Sequence, residues 1–426
     1  MSRSASFIRI AILSSVVPAC LVGCLPLDFS GWGDQVLSFP APQPLSGPQI
    51  NEVEPNDDMA AANAVVFDGQ VTLVGSIAAK GSFDFDVFAL GPVNAGDRVV
   101  AELAASAGSD VVLGLFDGGF NLLGYVDYSR GTAAPGRIDL VLRDSVDTLY
   151  AIAGTRSLSE ATRLYNVGIS VTPNVGVPQP NPQMVVLNFI GASGVRIGRQ
   201  APVNVPPFDV ATIDSRFAGK TQEVIQSILQ MVREDYAGLN VVFYLAGDPN
   251  IPAGDLTVIH FGTYSDRYLG LADNVDPFNR DSTQNAIIYT DTFSLFSTLW
   301  PTQEQIAQVL ANVASHELGH LLGLRHTADI QDLMDITASA RQMLSDQWHK
   351  VADLHPSIMA IGYQDAATML SWCVGGTPPA PPANLSAKTQ RMAKTAYDPD
   401  DFYIPRGWLA ENSAEADEAV EDPAEE

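Results

Sequence analysis

The sequence contains little cysteine, few basic residues and no long apolar run, and each shortage argues against a class of protein. Its three cysteines are Cys20, Cys24 and Cys373, so only one thiol lies beyond Cys24 and no internal disulfide can hold the body of the chain. Lys and Arg total 23 against 49 Asp and Glu, and the formal net charge of −26 argues against nucleic acid as a partner. No apolar run approaches the about 20 residues of a membrane-spanning helix. Stability must therefore come from buried apolar cores, with bound metals as a candidate further source.

The N-terminus has the pattern of an export signal. Arg3 and Arg9 precede an apolar run over residues 10–22, which is too short to span a bilayer and fits the core of a signal peptide. The run ends in Leu-Val-Gly-Cys24, which resembles a bacterial lipobox, where the cysteine is lipidated after cleavage. We predict a lipoprotein signal peptide at 1–23 and lipidation of Cys24, so that acyl chains alone contact the membrane. An ordinary signal peptide cut elsewhere is the alternative. Both place the protein outside the cytoplasm, in a bacterial cell envelope (outer membrane, periplasm-facing or surface) or secreted.

Changes in composition divide the rest of the chain into segments. Residues 24–50 are rich in Pro, Gly and Ser and predict a flexible tether, and residues 173–183 form a Pro-rich linker. Between them, short alternating apolar runs separated by turn residues predict an all-β sandwich over 51–172. Residues 376–426 are polar and acidic and predict a largely disordered tail. The candidate strands of the sandwich are 71–77, 83–90, 98–103, 111–116, 138–142, 148–153 and 166–171.

Residues 184–375 mix strand and helix patterns. The candidate strands are 184–190, 241–245, 256–261 and 286–289, and the candidate helices are 221–236, 302–323, 341–348 and 364–372. This order predicts a twisted mixed sheet with helices packed on it, so the chain as a whole is multidomain, with an all-β domain followed by an α/β domain. Thr302 and Gln305 have the spacing of a capping box, which predicts the start of the helix that ends near Gly323.

That helix carries the most informative motif. Residues 316–326 follow the pattern H-E-x-x-H-x-x-G-x-x-H. His316 and His320 lie four residues apart on one helix face, and Gly323 lets the chain turn so that His326 can supply a third imidazole. Three imidazoles with one open position are typical of a catalytic zinc site, and Glu317 is placed to take a proton from water and deliver it to a leaving amine. Surface histidines on an ordinary helix are the alternative interpretation.

The motif resembles that of the metzincin zinc peptidases, and the following residues resemble the matrixin branch. Met334 follows the third histidine by eight residues, as in matrixins, where a methionine forms a turn beneath the zinc. Thr327 replaces a usual Ser, and Asp335 replaces a usual Tyr, so the resemblance leaves the specificity pocket open. The sequence lacks both the inhibitory cysteine motif of matrixin pro-segments and the tyrosine ligand of astacins. The resemblance further implies that peptide substrate adds as a strand to the edge formed by Leu269, Gly270, Leu271 and Ala272.

Residues 51–172 resemble the bacterial pre-peptidase C-terminal (PPC) domain, on the Glu-Pro-Asn-Asp start and the strands over 81–88 and 112–117. Such domains usually follow a peptidase domain, whereas this one precedes it. Some relatives bind calcium through similar residues, so the resemblance implies a calcium site, with solvated carboxylates as the simpler alternative. The candidate ligands are Glu52, Glu54, Asn56, Asp57, Asp84 and Asp86. A loop with Asp273, Asp276, Asn279 and Asp281 is predicted to be solvated, with structural calcium as the alternative.

Together these patterns predict an exported zinc-dependent endopeptidase that acts on protein or peptide substrates. Its metal ligands would be His316, His320 and His326, its general base Glu317, and its cofactors Zn²⁺ with Ca²⁺ as a further candidate. Two alternatives stay open. The protein could be a non-catalytic surface binding protein with a vestigial zinc site, or a hydrolase of non-peptide amides.

Overall fold

The computed structural model describes residues 47–66, 68–78, 83–105, 110–128, 136–156 and 162–378. The predicted signal peptide, Cys24, nearly all of the predicted tether and residues 379–426 lie outside the described residues. No described helix is both long and apolar enough to cross a bilayer.

The described part of residues 47–172 is rich in β-strands, and we call it the N-terminal β region. Its strands are β1 (Gln49–Asn51), β2 (Asn63–Ala64), β3 (Gln70–Ile77), β4 (Asp86–Val93), β5 (Arg98–Ala105), β6 (Val111–Phe116), β7 (Leu122–Asp127), β8 (Gly136–Val141), β9 (Val146–Thr155) and β10 (Arg163–Thr172). They form a first sheet in the order β1-β3-β10-β5-β8 and a second in the order β2-β4-β9-β6-β7. β1 begins inside the segment predicted to be tether and pairs with β3.

The two sheets share one apolar core. Leu73, Leu103 and Ile169 from the first sheet and Leu113 and Leu149 from the second are 0–1% exposed in the same cluster. Since successive side chains of a strand point to opposite faces, the alternating apolar positions of the sequence supply this core.

The second sheet is apolar on its outer face as well. All six residues of β6 are buried. Val112 and Phe116 belong to a separate cluster with Leu354, Ile358 and Met359 from the C-terminal region. A continuous apolar run is typical of a strand that is covered on both faces, and β6 is such a strand.

The C-terminal region contains a five-stranded mixed sheet. Its elements are β11 (Gln183–Asn188), β12 (Ala192–Val195), β13 (Val203–Val205), α1 (Thr221–Asp235), β14 (Val241–Leu245), β15 (Thr257–Phe261), β16 (Gly270–Ala272), β17 (Asn285–Ile288), α2 (Gln303–Leu321), α3 (Ala340–Met343), β18 (Val351–Asp353), β19 (Tyr363–Asp365) and α4 (Ala366–Val374). The sheet order is β14-β11-β15-β17-β16, and only β16 is antiparallel to its neighbour. This mixed sheet and the two β-sheets before it fit the predicted multidomain fold.

The sheet has α1 and α2 on one face and the β12–β13 hairpin on the other. Ile228 of α1 and Leu310 of α2 are fully buried in the core that also contains Val185 and Ile259 of the sheet. On the opposite face, Leu271 packs with Val195 and Val205 of the hairpin. The sequence did not predict this hairpin, whose strands are short and pair through an irregular register.

The structure corrects two predicted helices. The helix predicted over 341–348 is wrong beyond Met343, because Asn312 Nδ2 donates to the carbonyls of Met343 (3.0 Å) and Ser345 (2.8 Å) and holds the chain in a turn. The helix predicted from Gln364 begins at Ala366, since residues 363–365 pair with β18 instead. Asp365 then caps α4 by accepting from the backbone N–H of Thr368 at 3.1 Å.

Candidate metal centre

The site is built on α2, and its ends are set by local sequence. The capping box is present, since Thr302 Oγ1 accepts from Gln305 N at 3.2 Å and Gln305 Oε1 accepts from Thr302 N at 2.9 Å. At the other end, Gly323 has a φ of +93°, and the N–H of Leu324 donates to Gly319 O at 2.8 Å. This left-handed glycine stops the helix and turns the chain back towards the metal-binding face.

The turn brings three imidazoles together. The ring centroids of His316 and His320 are 4.7 Å apart, those of His320 and His326 4.9 Å, and those of His316 and His326 5.3 Å. One ligand nitrogen from each histidine lies within 4.8 Å of the others. Zinc–nitrogen bonds of about 2.0–2.1 Å in a tetrahedron require nitrogens roughly 3.3 Å apart, so small side-chain adjustments suffice for one ion.

Hydrogen bonds to the backbone fix the tautomers of the two helical histidines. His316 Nδ1 donates to Leu333 O at 2.7 Å, and His320 Nδ1 donates to Leu324 O at 2.8 Å. Because a carbonyl oxygen only accepts, each Nδ1 carries the proton and each Nε2 carries the lone pair of a neutral ring. Burial lowers the pKa of His316 to about 4 and holds the pKa of His320 and His326 well below the usual range, so the rings are neutral at physiological pH.

The donor set fits zinc. The Nε2 atoms of His316 and His320 face each other at 2.9 Å. Two lone pairs at this distance repel each other unless a cation lies between them. Neutral imidazole nitrogen is a ligand that zinc prefers, and a set of three histidines is typical of its catalytic sites.

Glu317 lies between this group and the edge of the sheet. The side chain is fully buried, and neither carboxylate oxygen has a hydrogen-bond partner among the described residues. Burial raises the pKa of Glu317 well above its usual value. A buried acceptor without a partner is costly in a folded protein, and such groups are typical of catalytic positions. The side chain occupies space that Gly270 leaves open, because a Cβ at residue 270 would lie 2.8 Å from Glu317 Cγ.

A tight turn that contacts His316 through the carbonyl of Leu333 contains Met334. The turn is closed by Asp335 N, which donates to Asp332 O at 3.1 Å, and Met334 is fully buried. Its sulfur lies against α2 at Gly319, where a Cβ would approach Sδ to 2.5 Å. Asp335, at the position where the resemblance to matrixins predicts a Tyr, accepts from the backbone N–H groups of Thr337 (3.0 Å) and Ala338 (2.7 Å). Its carboxylate therefore shapes the chain after the turn.

The predicted substrate edge is the antiparallel edge strand β16. Among the described residues β16 pairs only with β17. Leu269 O accepts from Tyr289 N at 2.8 Å, and Asp273 N donates to Asn285 O at 2.9 Å, so the odd-numbered residues face β17. In an antiparallel ladder the intervening residues, Gly270 and Ala272, then direct their backbone N–H and C=O groups to the outer edge.

A second group of ligand-type side chains lies in the N-terminal β region. Carboxylate oxygens of Glu54, Asp84 and Asp86 lie within 4.8 Å of one another. Asp86 is fully buried without a hydrogen-bond partner in the described residues, and its pKa is raised to about 9, first by burial and then by its neighbour Glu52. Asn56 Oδ1 is also buried and unpartnered.

Several candidate calcium ligands also accept backbone hydrogen bonds, including Glu54 from Asn56 N at 3.0 Å and Asp84 from Ala78 N at 2.5 Å. Glu52 accepts from the N–H of Ser76 at 2.9 Å, and Asp57 accepts from the N–H of Phe85 at 3.2 Å. The aspartates of the loop after β16 also accept hydrogen bonds from backbone N–H groups. The sequence predicts instead that these side chains are solvated. Asp273 accepts from Gly198 N at 2.7 Å. Asp276, only 7% exposed, accepts from Asp281 N at 2.9 Å.

The other histidines of the described chain do not belong to the group of three ligand side chains. His260 contacts Asn188 Nδ2 at 3.1 Å, His349 packs edge-on against the ring of Tyr236 at 5.0 Å, and His355 Nδ1 lies 2.8 Å from Ser357 Oγ. Sequence reasoning missed Gly270 as the residue that makes room for Glu317. The only sequence feature that indicates this role is a glycine among the bulky residues of the segment from Tyr268 to Leu271.

Comparison with known proteins supports the chemistry suggested by this geometry. The family model of the Matrixin peptidases matches residues 272–353, which contain α2, the third histidine and the turn at Met334. The match and the three-histidine group support a metzincin-like zinc metallopeptidase. No curated protein matches the chain.

Two solved structures are similar to parts of the chain. One is the archaemetzincin of Methanopyrus kandleri, at 13% identity and a TM-score of 0.23, covering 39% of this chain and 87% of that one. The other is Aeromonas hydrophila PliG, a periplasmic lysozyme inhibitor of g-type lysozyme, at 16% identity and a TM-score of 0.21, covering 26% and 96%. At such low TM-scores neither similarity defines the fold or the function of this chain.

Proposed function

We propose that the protein is a zinc-dependent endopeptidase of the matrixin-like metzincin type. The observation that carries the proposal is the convergence of His316, His320 and His326 beside the unpartnered carboxylate of Glu317. A purely structural zinc site would have four protein ligands and no need for a buried free carboxylate.

The roles of the residues follow from their positions. When bound, zinc would lower the pKa of a water molecule and polarise the scissile carbonyl. The Leu333 and Leu324 carbonyls hold His316 and His320 in the tautomer that presents Nε2. The charge of a bound zinc would offset the effect of burial and keep Glu317 ionised, so that its carboxylate can accept the proton of the attacking water and deliver it to the nitrogen of the leaving amine. Met334 supports the imidazoles from beneath through its contact with Gly319.

We propose that substrate binds along β16. The outward backbone groups of Gly270 and Ala272 are suited to pair with an extended peptide, which adds one strand to the sheet. Glu317 lies directly beside Gly270, so a peptide bond paired there would be next to the general base. Such pairing recognises the substrate through hydrogen bonds to an extended peptide backbone. Because small amides lack such a backbone, this favours protein and peptide substrates.

A substitution at Glu317 tests the proposal. Wild-type protein is expected to contain about one zinc per chain and to cleave members of a diverse peptide mixture. Glu317→Gln and Glu317→Ala should keep the zinc but lose about 10²–10⁴-fold in kcat/KM, because only the proton transfer is removed. Glu304→Gln is the matched control, since Glu304 is exposed at the start of the same helix. Unchanged turnover in Glu317→Gln would remove the residue from the mechanism.

The other functions suggested by the sequence give different results in the same assay. Stoichiometric zinc without cleavage of any peptide in the mixture would favour a surface binding protein with a vestigial site. Cleavage of small amides but not of peptides would favour an amidase.

We further propose the segment boundaries and the location given by the sequence. Residues 51–172 would be a β-sandwich of PPC type, 173–183 a linker, 184–375 the catalytic domain and 376–426 a tail. The shared core of the two five-stranded sheets supports the sandwich. Export with lipidation at Cys24 would place the protein in a bacterial cell envelope. Cys24→Ala should release it from the membrane fraction, and an unchanged distribution would exclude the anchor.

We also propose a calcium ion at Glu54, Asp84 and Asp86. The support is the fully buried Asp86 carboxylate, which lies among other acidic groups with the Tyr165 hydroxyl as a neighbour and makes no hydrogen bond of ordinary geometry within the described residues. Calcium prefers such oxygen ligands, and its charge would compensate the buried carboxylate. Calcium titration of zinc-loaded protein by calorimetry should show binding that Asp86→Asn abolishes and that the exposed Asp68→Asn retains. Absence of binding to the wild type would reject the site.

A further inference from the structure

The short segment that carries the third histidine is fixed residue by residue. Leu324 O accepts from His320 Nδ1 at 2.8 Å, and His326 O accepts from His355 N at 3.0 Å. Thr327 N donates to Met334 O at 2.9 Å. The position of the His326 imidazole therefore depends on the partners of this segment as well as on α2.

One partner is the hairpin of β18 and β19 with the loop between them, residues 351–365, which we call the clamp hairpin. Its fully buried Gln364 binds both backbone groups of Arg325, the residue next to His326. The N–H of Arg325 donates to Gln364 Oε1 at 2.7 Å, and Gln364 Nε2 donates to Arg325 O at 2.8 Å. His355, which binds the His326 carbonyl, belongs to the same hairpin.

The other side of the clamp hairpin rests on the N-terminal β region. Its Leu354, Ile358 and Met359 are buried against the outer face of the second sheet, where Phe116 is fully buried. The backbone is tied there too, since Tyr363 N donates to Phe120 O at 2.9 Å. The hairpin approaches so closely that a Cβ at residue 362 would lie 2.5 Å from the Phe116 ring.

Tyr125 of β7 contacts both the hairpin and the segment that the hairpin holds. Its hydroxyl donates to Ile358 O at 3.1 Å. Its ring lies under the guanidinium of Arg325, with 4.4 Å between the ring centroid and Cζ. A cation over a partly buried aromatic ring contributes a favourable contact, so Tyr125 links the second sheet directly to the residue before His326.

We propose that the N-terminal β region positions the third zinc ligand through the clamp hairpin, with Tyr125 and Gln364 as the positioning residues. The proposal rests on the proposed zinc peptidase function. Neither residue is one of the three ligand histidines. They act by holding Arg325 and the clamp hairpin, as outer partners of metal ligands do in other sites.

Zinc affinity of the full-length protein tests the proposal. Gln364→Met and Tyr125→Leu fill most of the space but remove the hydrogen bonds and the aromatic face. Competition with a chromophoric chelator should show zinc binding weaker by about 10- to 100-fold in both. Tyr125→Phe, which keeps the ring, should lie between Tyr125→Leu and the wild type. Cobalt-loaded Gln364→Met and Tyr125→Leu should also show shifted visible absorption bands, because the imidazole geometry changes.

Two controls separate positioning from general stability. Leu103→Ala disturbs the core between the two β-sheets, which is a separate cluster from the one that contains the clamp hairpin, and should lower Tm while leaving zinc affinity unchanged. Val66→Ala, at an 88% exposed position, should change neither. If Leu103→Ala weakens zinc binding as much as Tyr125→Leu does, the effect is one of stability and the proposal is overturned. Wild-type affinity in both Gln364→Met and Tyr125→Leu also overturns it. Failure of the wild type itself to bind zinc would instead reject the zinc peptidase function.

Discussion

Gly270 offers a sharp test of how the edge strand and the general base fit together. A Cβ added at this position would lie 2.8 Å from Glu317 Cγ and 2.8 Å from Val313 Cγ1, and closer still to Glu317 Oε1. Ordinary contacts begin at 3.4 Å, so Gly270→Ala must displace the Glu317 side chain or the strand by about 0.6 Å or more. The substitution leaves the three imidazoles untouched.

The expected effects on activity and on stability differ in size. A catalytic group misplaced by about 1 Å costs roughly 10²-fold in rate, so kcat/KM of Gly270→Ala should fall by about 10- to 100-fold. Overpacking a buried site costs about 1–3 kcal/mol in the free energy of unfolding, which a folded protein of this size survives. Zinc content should remain about one per chain.

The assay combines peptide cleavage, zinc analysis and thermal unfolding of the same preparations. Gly118→Ala is the matched control, because a Cβ at residue 118 meets no atom within 4 Å. It should retain wild-type values in all three measurements. If Gly270→Ala also cleaves peptide at the wild-type rate, then Glu317 does not work from the place that the structure gives it, and the proposed relation of strand to base is refuted.

Three further substitutions test other parts of the structure. Thr302→Ala removes half of the capping box and should lower the free energy of unfolding by about 0.5–2 kcal/mol in denaturant titrations, and no change would mean that the cap is dispensable. Gly323→Ala forces a side chain into a φ of +93° and places its Cβ 2.7 Å from Pro277 Cα, so melting should show a loss above about 1 kcal/mol and a chelator should remove zinc more easily. In calcium-free buffer, the Asp86 carboxyl has a pKa of about 9 in the folded protein and its ordinary pKa of 3.8 in the unfolded chain. Between these pH values only the unfolded chain loses the proton, so the free energy of unfolding should fall as the pH rises. Melting at pH 5 and pH 8 should show a smaller fall in Asp86→Asn than in the wild type, because other buried carboxyls such as Asp332 and Asp335 contribute the same fall to both proteins, and equal falls would reject the buried acid.

The metal-binding residues could be predicted from the sequence because their geometry is local. His316 and His320 share a helix face by periodicity, and the capping box and Gly323 mark the two ends of that helix within 22 residues of chain. Six of the candidate strands in the first 172 residues overlap observed strands closely, because alternating apolar residues mark strands with one buried face and the continuous run over 111–116 marks a strand with two. The candidate strand over 83–90 begins three residues before β4, because Phe83 and Phe85 are apolar but precede the pairing with β9.

What the sequence did not predict depends on contacts between distant segments. The clamp hairpin contains only short strands, and its pairing is stabilised by Phe116, Tyr125 and Arg325, which lie far away in the chain. Asp332 and Asp335 in the turn at Met334 are buried, and loss of solvation raises the pKa of each to about 7. The neighbouring residues in the sequence give no indication of this burial. The continuous apolar run over 111–116 did carry a signal, since a strand with one wet face would alternate.

The apolar outer face of the second sheet limits how this protein can be divided. Cutting the chain within residues 173–182 and separating the halves would expose Phe85, Val87, Val112, Phe116, Leu122 and Ile152 to water. Each such side chain costs about 1.5–3 kcal/mol when it leaves an apolar environment, so the N-terminal fragment alone should aggregate or self-associate. If another β domain replaced the N-terminal β region during evolution, it would need an apolar surface that matches the clamp hairpin. The N-terminal β region and the C-terminal region are therefore expected to be inherited together.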